Sequence, residues 1–206
     1  ISDSGCAVQD TQSVAIFEMP VAEIDLNKSC LFDLAQFNDS STVATDSITA
    51  WLWEMGDGST YTSRHPSHTF NTSDTFLVNL KVTTSNGCSD STVAVDTVLS
   101  LPNAQFFTAN ICQKDTLQLL NQSASINGFG LTQFAWDIDN DGVSDYSSLN
   151  ASHHYSIHDS VFVELRVEDA FGCADSTQKH VFIHPEPIAA FALDNTCQFQ
   201  DASFAN

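Results

Sequence analysis

The sequence predicts an all-β chain of tandem two-sheet sandwiches, and three observations predict it. Apolar residues alternate with polar ones over long runs. Phe76, Val78, Leu80 and Val82 face one way while Leu77, Asn79 and Lys81 face the other, and a period of two belongs to a strand with one buried face. No segment carries the 3.6-residue period of an amphipathic helix. The pattern then recurs. Cys6, Cys88 and Cys173 each follow a glycine and stand 82 and 85 residues apart (88−6 and 173−88). Cys30, Cys112 and Cys197 keep the same steps, as do Pro20, Pro102 and Pro187. A fixed period marks a modular array, and such arrays act through length, stiffness and surface.

Seven strands are expected in the first repeat, about as many as a small sandwich needs. Residues 22–25 alternate, and 31–37 carry Leu31, Ala35 and Phe37. Residues 49–55 set Trp51, Trp53 and Met55 on one face, and 60–63 and 68–70 are short aromatic or β-branched runs. Residues 76–84 and 92–99 are the longest alternations. Gly56-Asp57-Gly58 marks one turn, and Ser85-Asn86-Gly87 lies between the two longest runs, where Asn-Gly is a strong hairpin signal. Val161, Val163, Leu165 and Val167 repeat the sixth strand 85 positions on.

These elements divide the chain into the tail of one module (1–20), two whole modules (21–102 and 103–187) and the start of another (188–206). The chain reads as a piece of a longer protein. The joints are short and contain proline: Met19-Pro20, Leu101-Pro102 and Pro185-Glu186-Pro187. Such joints favour a semi-rigid string. Neighbouring modules of the same chain are therefore the first partners expected.

Charge narrows the function classes. The net charge is −20, with only six Lys and Arg. Nucleic acid is excluded as a partner, because phosphate contacts need clustered cations. No run of about 18 apolar residues is present, so no membrane insertion is expected in this segment. Six cysteines at repeat-locked positions point to disulfides, and so to a secreted or cell-surface protein. The acidic surface suits an extracellular protein whose copies repel one another.

Trp53-Glu54-Met55-Gly56-Asp57-Gly58-Ser59 resembles the W-D-F-G-D-G-S core of PKD (polycystic kidney disease) domains. His65-Pro66-Ser67-His68-Thr69-Phe70 resembles their N-P-x-H-x-Y segment, and Asp74–Val82 their G-x-Y-x-V-x-L-x-V strand. The second repeat keeps His153-His154-Tyr155 but carries an insertion in Trp136-Asp137-Ile138-Asp139-Asn140-Asp141-Gly142. The segments 86–91 and 171–176 look like those of tandem PKD arrays in large Bacteroidota surface proteins, adhesins and filaments. The resemblance implies immunoglobulin-like sandwiches joined head to tail, a structural or adhesive role, and no catalytic residues.

The residues agree that this is not an enzyme: no G-x-S-x-G elbow and no zinc spacing appears. Trp53 and Trp136 are expected as core anchors between the sheets. Asp137, Asp139, Asp141 and Asp145 form D-x-D-x-D-G-x-x-D, a pattern of oxygens around a glycine turn that can wrap Ca²⁺. The alternative is a solvated acidic hairpin, because Ser148 stands where an EF-hand places its bidentate acid. No cofactor is otherwise required. Asp-Ser/Thr-aliphatic triplets at Ser47, Thr97, Thr116 and Ser160 resemble sites that Bacteroidota O-glycosylate.

The cysteines carry the sharpest expectation. In seven alternating strands, Cys30 and Cys88 lie at opposite ends of their module, a strand length apart. A disulfide needs Cα atoms within about 7 Å. Cys30 is therefore expected to bond Cys173 of the next module; the alternative is Cys30–Cys88 with Cys112–Cys173 inside the modules. The leading expectation is a stiff acidic stalk or filament serving adhesion or gliding, in contact with lateral copies or surface polysaccharide. The other is a polysaccharide-binding accessory module of a secreted hydrolase, which an exposed aromatic row would support.

Overall fold

The computed structural model describes residues 10–193, the last two by backbone alone, and the backbone of Phe204 and Ala205. All elements among these are strands, so no helix long and apolar enough to cross a membrane occurs there. The chain divides after Ser100 into two compact units.

The first unit holds β1 (Ile24–Leu26), β2 (Ser29–Cys30), β3 (Ala35–Asp39), β4 (Ile48–Glu54), β5 (Thr60–Tyr61), β6 (Ser67–His68), β7 (Thr75–Thr84) and β8 (Ser89–Leu99). Its sheets run β1-β3-β6 and β2-β8-β7-β4-β5. The second unit holds β9 (Phe106–Phe107), β10 (Ile111–Cys112), β11 (Thr116–Asn121), β12 (Leu131–Asp137), β13 (Ala151–His154), β14 (Ser160–Asp169) and β15 (Ala174–His184). Its sheets run β13-β11-β9 and β10-β15-β14-β12. A last pair, β16 (Ala192–Leu193) with β17 (Phe204–Ala205), forms a two-stranded sheet of its own.

The two units thus share one plan: an immunoglobulin-like sandwich with the paired long strands at its centre. Alternation places Val78, Leu80 and Val82 inward on β7, and Val163, Leu165 and Val167 inward on β14, all at 0% exposure. Phe37, Trp53, Met55 and Phe70 complete the first core. Phe106, Leu117, Leu119 and Trp136 complete the second.

One expected strand is corrected. Residues 31–37 do not run straight. Cys30 ends the two-residue β2, the backbone turns at Phe32 with φ 68°, and β3 starts only at Ala35. Lys114 makes the same turn with φ 71° between β10 and β11. β2 lies parallel to β8, with Cys30 level with Leu99, and β10 lies parallel to β15, with Cys112 level with His184.

Candidate functional site

Each tryptophan is held by packing and by one hydrogen bond. Trp53 Nε1 donates to the Ser63 carbonyl at 3.1 Å, and Trp136 Nε1 donates to the Ser148 carbonyl at 3.0 Å. Both are fully buried. An indole so enclosed satisfies its one donor and presents no face to a ligand.

The cysteines sit where β8 and β15 begin and end. Cys88 immediately precedes β8, and Cys30 pairs with its last residue, Leu99. Eleven residues of strand separate the two ends, roughly 30 Å at about 3.3 Å per residue. Cys173 and Cys112 occupy the same two ends of β15. Cys30 and Cys173 are each disulfide-bonded, while Cys88 and Cys112 are free thiols. The within-module alternative, Cys30–Cys88 with Cys112–Cys173, is therefore corrected: a strand length forbids it. Cys6 and Cys197 lie outside the described residues.

The turns after the tryptophans carry the acidic groups. In the first unit Asp57 accepts from the Ser59 N–H at 2.9 Å and lies 2.8 Å from His68 Nε2. An ionised carboxylate only accepts, so Nε2 carries the hydrogen, and the ring's other nitrogen, Nδ1, lies 2.9 Å from the Tyr61 hydroxyl. Burial alone would raise the Asp57 pKa, but the bonds from Ser59 and His68 hold it below the usual carboxylate value.

In the second unit the turn is two residues longer. Asp137, Asp139 and Asp145 bring one carboxylate oxygen each within 4.8 Å of one another. The backbone organises them: Asp137 accepts from Asn140 N–H at 2.6 Å and Gly142 N–H at 2.8 Å, and Asp145 accepts from Ile138 N–H at 3.0 Å. Asn140 and Gly142 bend the turn with φ of 60° and 85°. Asp141 instead accepts from the Val143 N–H at 2.7 Å and is not among the three. The donor set is all hard oxygen, which suits Ca²⁺. Beneath it, Tyr155 donates to the Ile138 carbonyl at 2.6 Å. Burial first, and then the field of Asp139 and Asp145, drive its phenol well above the ordinary range. Burial likewise lowers the His153 pKa against the upward pull of Asp145.

Two groupings escaped the sequence. Asp39, its side chain fully enclosed, accepts from Trp51 Nε1 at 2.8 Å, Arg64 Nε at 3.1 Å and the Ser41 N–H at 3.0 Å. Burial acts to raise its pKa, but these donors lower it overall. Arg64 also lies over the Trp51 ring at 5.8 Å. The second grouping is an exposed aromatic row. Phe162 and Phe182, each 48% exposed, flank His180, with ring centroids 4.7 and 4.5 Å from it. Their signal was parity: Val161 and Val163 were visibly alternating, so Phe162 between them faces the other way. The hydroxyl-bearing residues Ser47, Thr97, Thr116 and Ser160 are all exposed.

Residues 18–99 match the family model described as PKD domain. The pre-pro-metalloprotease PrtV of Vibrio cholerae serotype O1 (strain M66-2) is 33% identical over 88 residues, covering 41% of this chain and 9% of that relative. The PKD1 domain of that metalloprotease aligns at 28% identity and TM-score 0.37, covering 39% of this chain and 96% of that one. The PKD1 domain of Vibrio anguillarum Epp aligns at 22% and 0.38, covering 40% and 96%. With the Trp–Gly-Asp-Gly turn and His68 now placed on the fold, residues 18–99, less than half of the chain, match the PKD domain family.

Proposed function

We propose that the chain is part of a stiff, acidic extracellular stalk or filament made of PKD modules, with a mechanical rather than chemical role. PKD domains are accessory modules of secreted and extracellular proteins. One observation carries the finer reading: in each unit the two cysteine-bearing turns lie at opposite ends of the same long strand. A module so built can be fastened at both ends. In this reading Cys30 and Cys173, both disulfide-bonded, are each other's partner and join successive modules. Such a bond closes a loop of about 140 residues, stabilising by up to roughly 5 kcal/mol in the chain-entropy model. Peptide mapping of the unreduced protein should yield a Cys30–Cys173 cross-link, and electron microscopy should show rods of roughly 35–45 Å per module. A Cys30 bonded elsewhere, or compact particles, would reject it. Intact-mass measurement of native protein tests glycans at Ser47, Thr97, Thr116 and Ser160.

The exposed row Phe162–His180–Phe182 favours a second reading, attachment to a surface polysaccharide. Aromatic faces at the surface pack against the C–H faces of sugars, and the net charge of −20 favours a neutral polymer over an anionic one. Pull-down on insoluble neutral glucans should weaken in Phe162→Ala with Phe182→Ala. Equal retention of the parent and this variant would remove the reading.

A further inference from the structure

Asparagine is a chemically labile residue. The backbone nitrogen of the next residue can attack its side-chain carbonyl carbon, and glycine, with no Cβ, hinders that attack least. Asn86 and Gly87 form such a pair in the turn between β7 and β8, and both are exposed. The fold commits each reacting group elsewhere. The Gly87 N–H donates to the Thr84 carbonyl at 3.0 Å. Asn86 Nδ2 donates to Asp46 Oδ2 at 2.9 Å, and the Asn86 backbone N–H donates to the same oxygen at 3.3 Å. Asp46 is itself fixed, because Oδ1 accepts from the Ser85 hydroxyl at 2.6 Å and from the Ser47 N–H at 2.7 Å. These donors, the Ser85 hydroxyl first, hold its pKa well below the usual carboxylate range. Asp46 is therefore an anion at neutral pH, an acceptor with no proton to give a leaving amine. The second unit builds the corresponding turn without an amide. Phe171 and Gly172 stand there, with φ 94° at Gly172. Asp169 Oδ1 closes that turn by accepting from the Phe171 N–H at 2.9 Å and the Cys173 N–H at 3.1 Å. The plan of the turn does not require asparagine.

We propose that Asn86 is a self-modification site of the first unit, a deamidation site that Asp46 holds closed and whose product opens the turn. Hydroxide removes the Gly87 N–H proton, and the nitrogen bonds Asn86 Cγ. The Cγ–Nδ2 bond breaks, and the amide nitrogen takes a proton from water and leaves as ammonia, which regenerates the hydroxide. The five-membered imide then takes up one water at either carbonyl, giving aspartate or isoaspartate. In sum one water enters and one ammonia leaves, with no oxidant or reductant. Aspartate at this place puts a second carboxylate where the Nδ2 donor stood, within hydrogen-bond distance of Asp46, and like charges so placed repel. Isoaspartate adds one backbone atom between Thr84 and Cys88, whose N–H to carbonyl bond of 2.8 Å closes the hairpin.

The test incubates the whole chain in mildly alkaline buffer and follows residue 86 by peptide mapping that separates asparagine, aspartate and isoaspartate. A synthetic peptide of residues 81–91 sets the unrestrained rate. Asn86 in the parent should convert at least about tenfold more slowly than in the peptide, the effect of one charge-assisted hydrogen bond on a barrier. Asp46→Ala should raise the parent's rate roughly three- to tenfold, and Asp46→Asn, of the same shape without the charge, should fall between the two. Gly58→Ala, which weakens the same unit away from this turn, should leave the rate unchanged. Conversion in the parent as fast as in the peptide, or no acceleration in either Asp46 variant, overturns the proposal. So does an equal acceleration in Gly58→Ala, which would assign the rate to the stability of the whole unit. For the product, Asn86→Asp should melt below Asn86→Ser, and adding Asp46→Ala to both should abolish the difference. Equal melting temperatures of the two single variants would refute the opening of the turn.

Discussion

Between Trp53 and Tyr61, and again between Trp136 and Tyr146, the chain reverses, buries an indole and sets a tyrosine against a histidine. The bonds are nearly superimposable: indole to serine carbonyl at 3.1 and 3.0 Å, tyrosine to histidine Nδ1 at 2.9 and 3.0 Å. What differs is the treatment of charge and space. The shorter turn presses Gly56 onto the Leu77 backbone and gives Asp57 a histidine partner. The longer one escapes that contact and gathers three carboxylates. The frame is fixed by burial, and the loop on it is free to carry different chemistry. The largest test is of the frame: Trp53→Ala and Trp136→Ala should each cost about 3–5 kcal/mol by urea denaturation. A markedly smaller loss in one would mean the two anchors are not equivalent.

The next test separates the turns. A Cβ on Gly56 would stand 2.8 Å from the Leu77 carbonyl oxygen, at φ 84°. Gly56→Ala should cost about 2–4 kcal/mol, summing backbone strain and overpacking. Gly58 has φ 98° but nothing within 4 Å, so Gly58→Ala should cost only about 1 kcal/mol. Equal losses in the two variants would show that conformation alone, not the close approach, makes the short turn demanding.

Beneath the sheets the units differ again. Ser29 donates to Asp96 at 3.3 Å, both buried, where the second unit has Ile111 and Val181. Burial raises the Asp96 pKa, so its charged form is penalised in the fold. The penalty is absent below the unfolded value of about 4 and grows as pH rises through the folded one. Ser29→Ile with Asp96→Val should therefore stabilise by about 1–3 kcal/mol at pH 7 and by less near pH 3. A destabilised double variant would mean that the pair has partners that the apolar one cannot replace.

The legible part of this molecule was its periodic part. Alternation marked β7, β8, β14 and β15, because a half-buried strand must alternate. The repeat placed the cysteines at opposite ends, because register along a long strand is simple counting. Two-residue strands have no period, so β2 and the turn at Phe32 were invisible. The Asp39 grouping draws Trp51 and Arg64 from 12 and 25 residues away, and only the folded chain brings them together. Phe162 was readable from parity, because it lies between Val161 and Val163, but only the pairing of β14 with β15 sets His180 opposite it. Four aspartates were visible as one motif, and the fold brings together three.

That cluster makes the fourth test. If the longer turn is a cation site, Ca²⁺ in the 10 mM range should stabilise the second unit by about 1.5 kcal/mol for a dissociation constant near 1 mM. The rise in melting temperature should vanish in Asp145→Asn and persist in Asp141→Asn, whose side chain is turned to Val143. A Ca²⁺ response in Asp145→Asn, or one lost in Asp57→Asn, would assign the effect elsewhere.

The smallest effect belongs to the shorter turn. Asp57 is held below its ordinary pKa by Ser59 and His68 against the opposing effect of burial. A carboxylate depressed in the fold contributes stability that is present above the unfolded value, about 4, and lost as pH falls through the folded one. Asp57 is exposed, so solvent screening keeps the contribution below about 1 kcal/mol. Asp57→Asn should flatten the acid limb of the stability curve below pH ~4 and lower the plateau at pH 7 slightly. The Asp96 slope has the opposite sign, so the two must be separated in the Ser29→Ile, Asp96→Val background. If Asp57→Asn leaves the acid limb unchanged there, the histidine contact is geometric and carries no electrostatic stabilisation, and charge compensation ceases to distinguish the two turns.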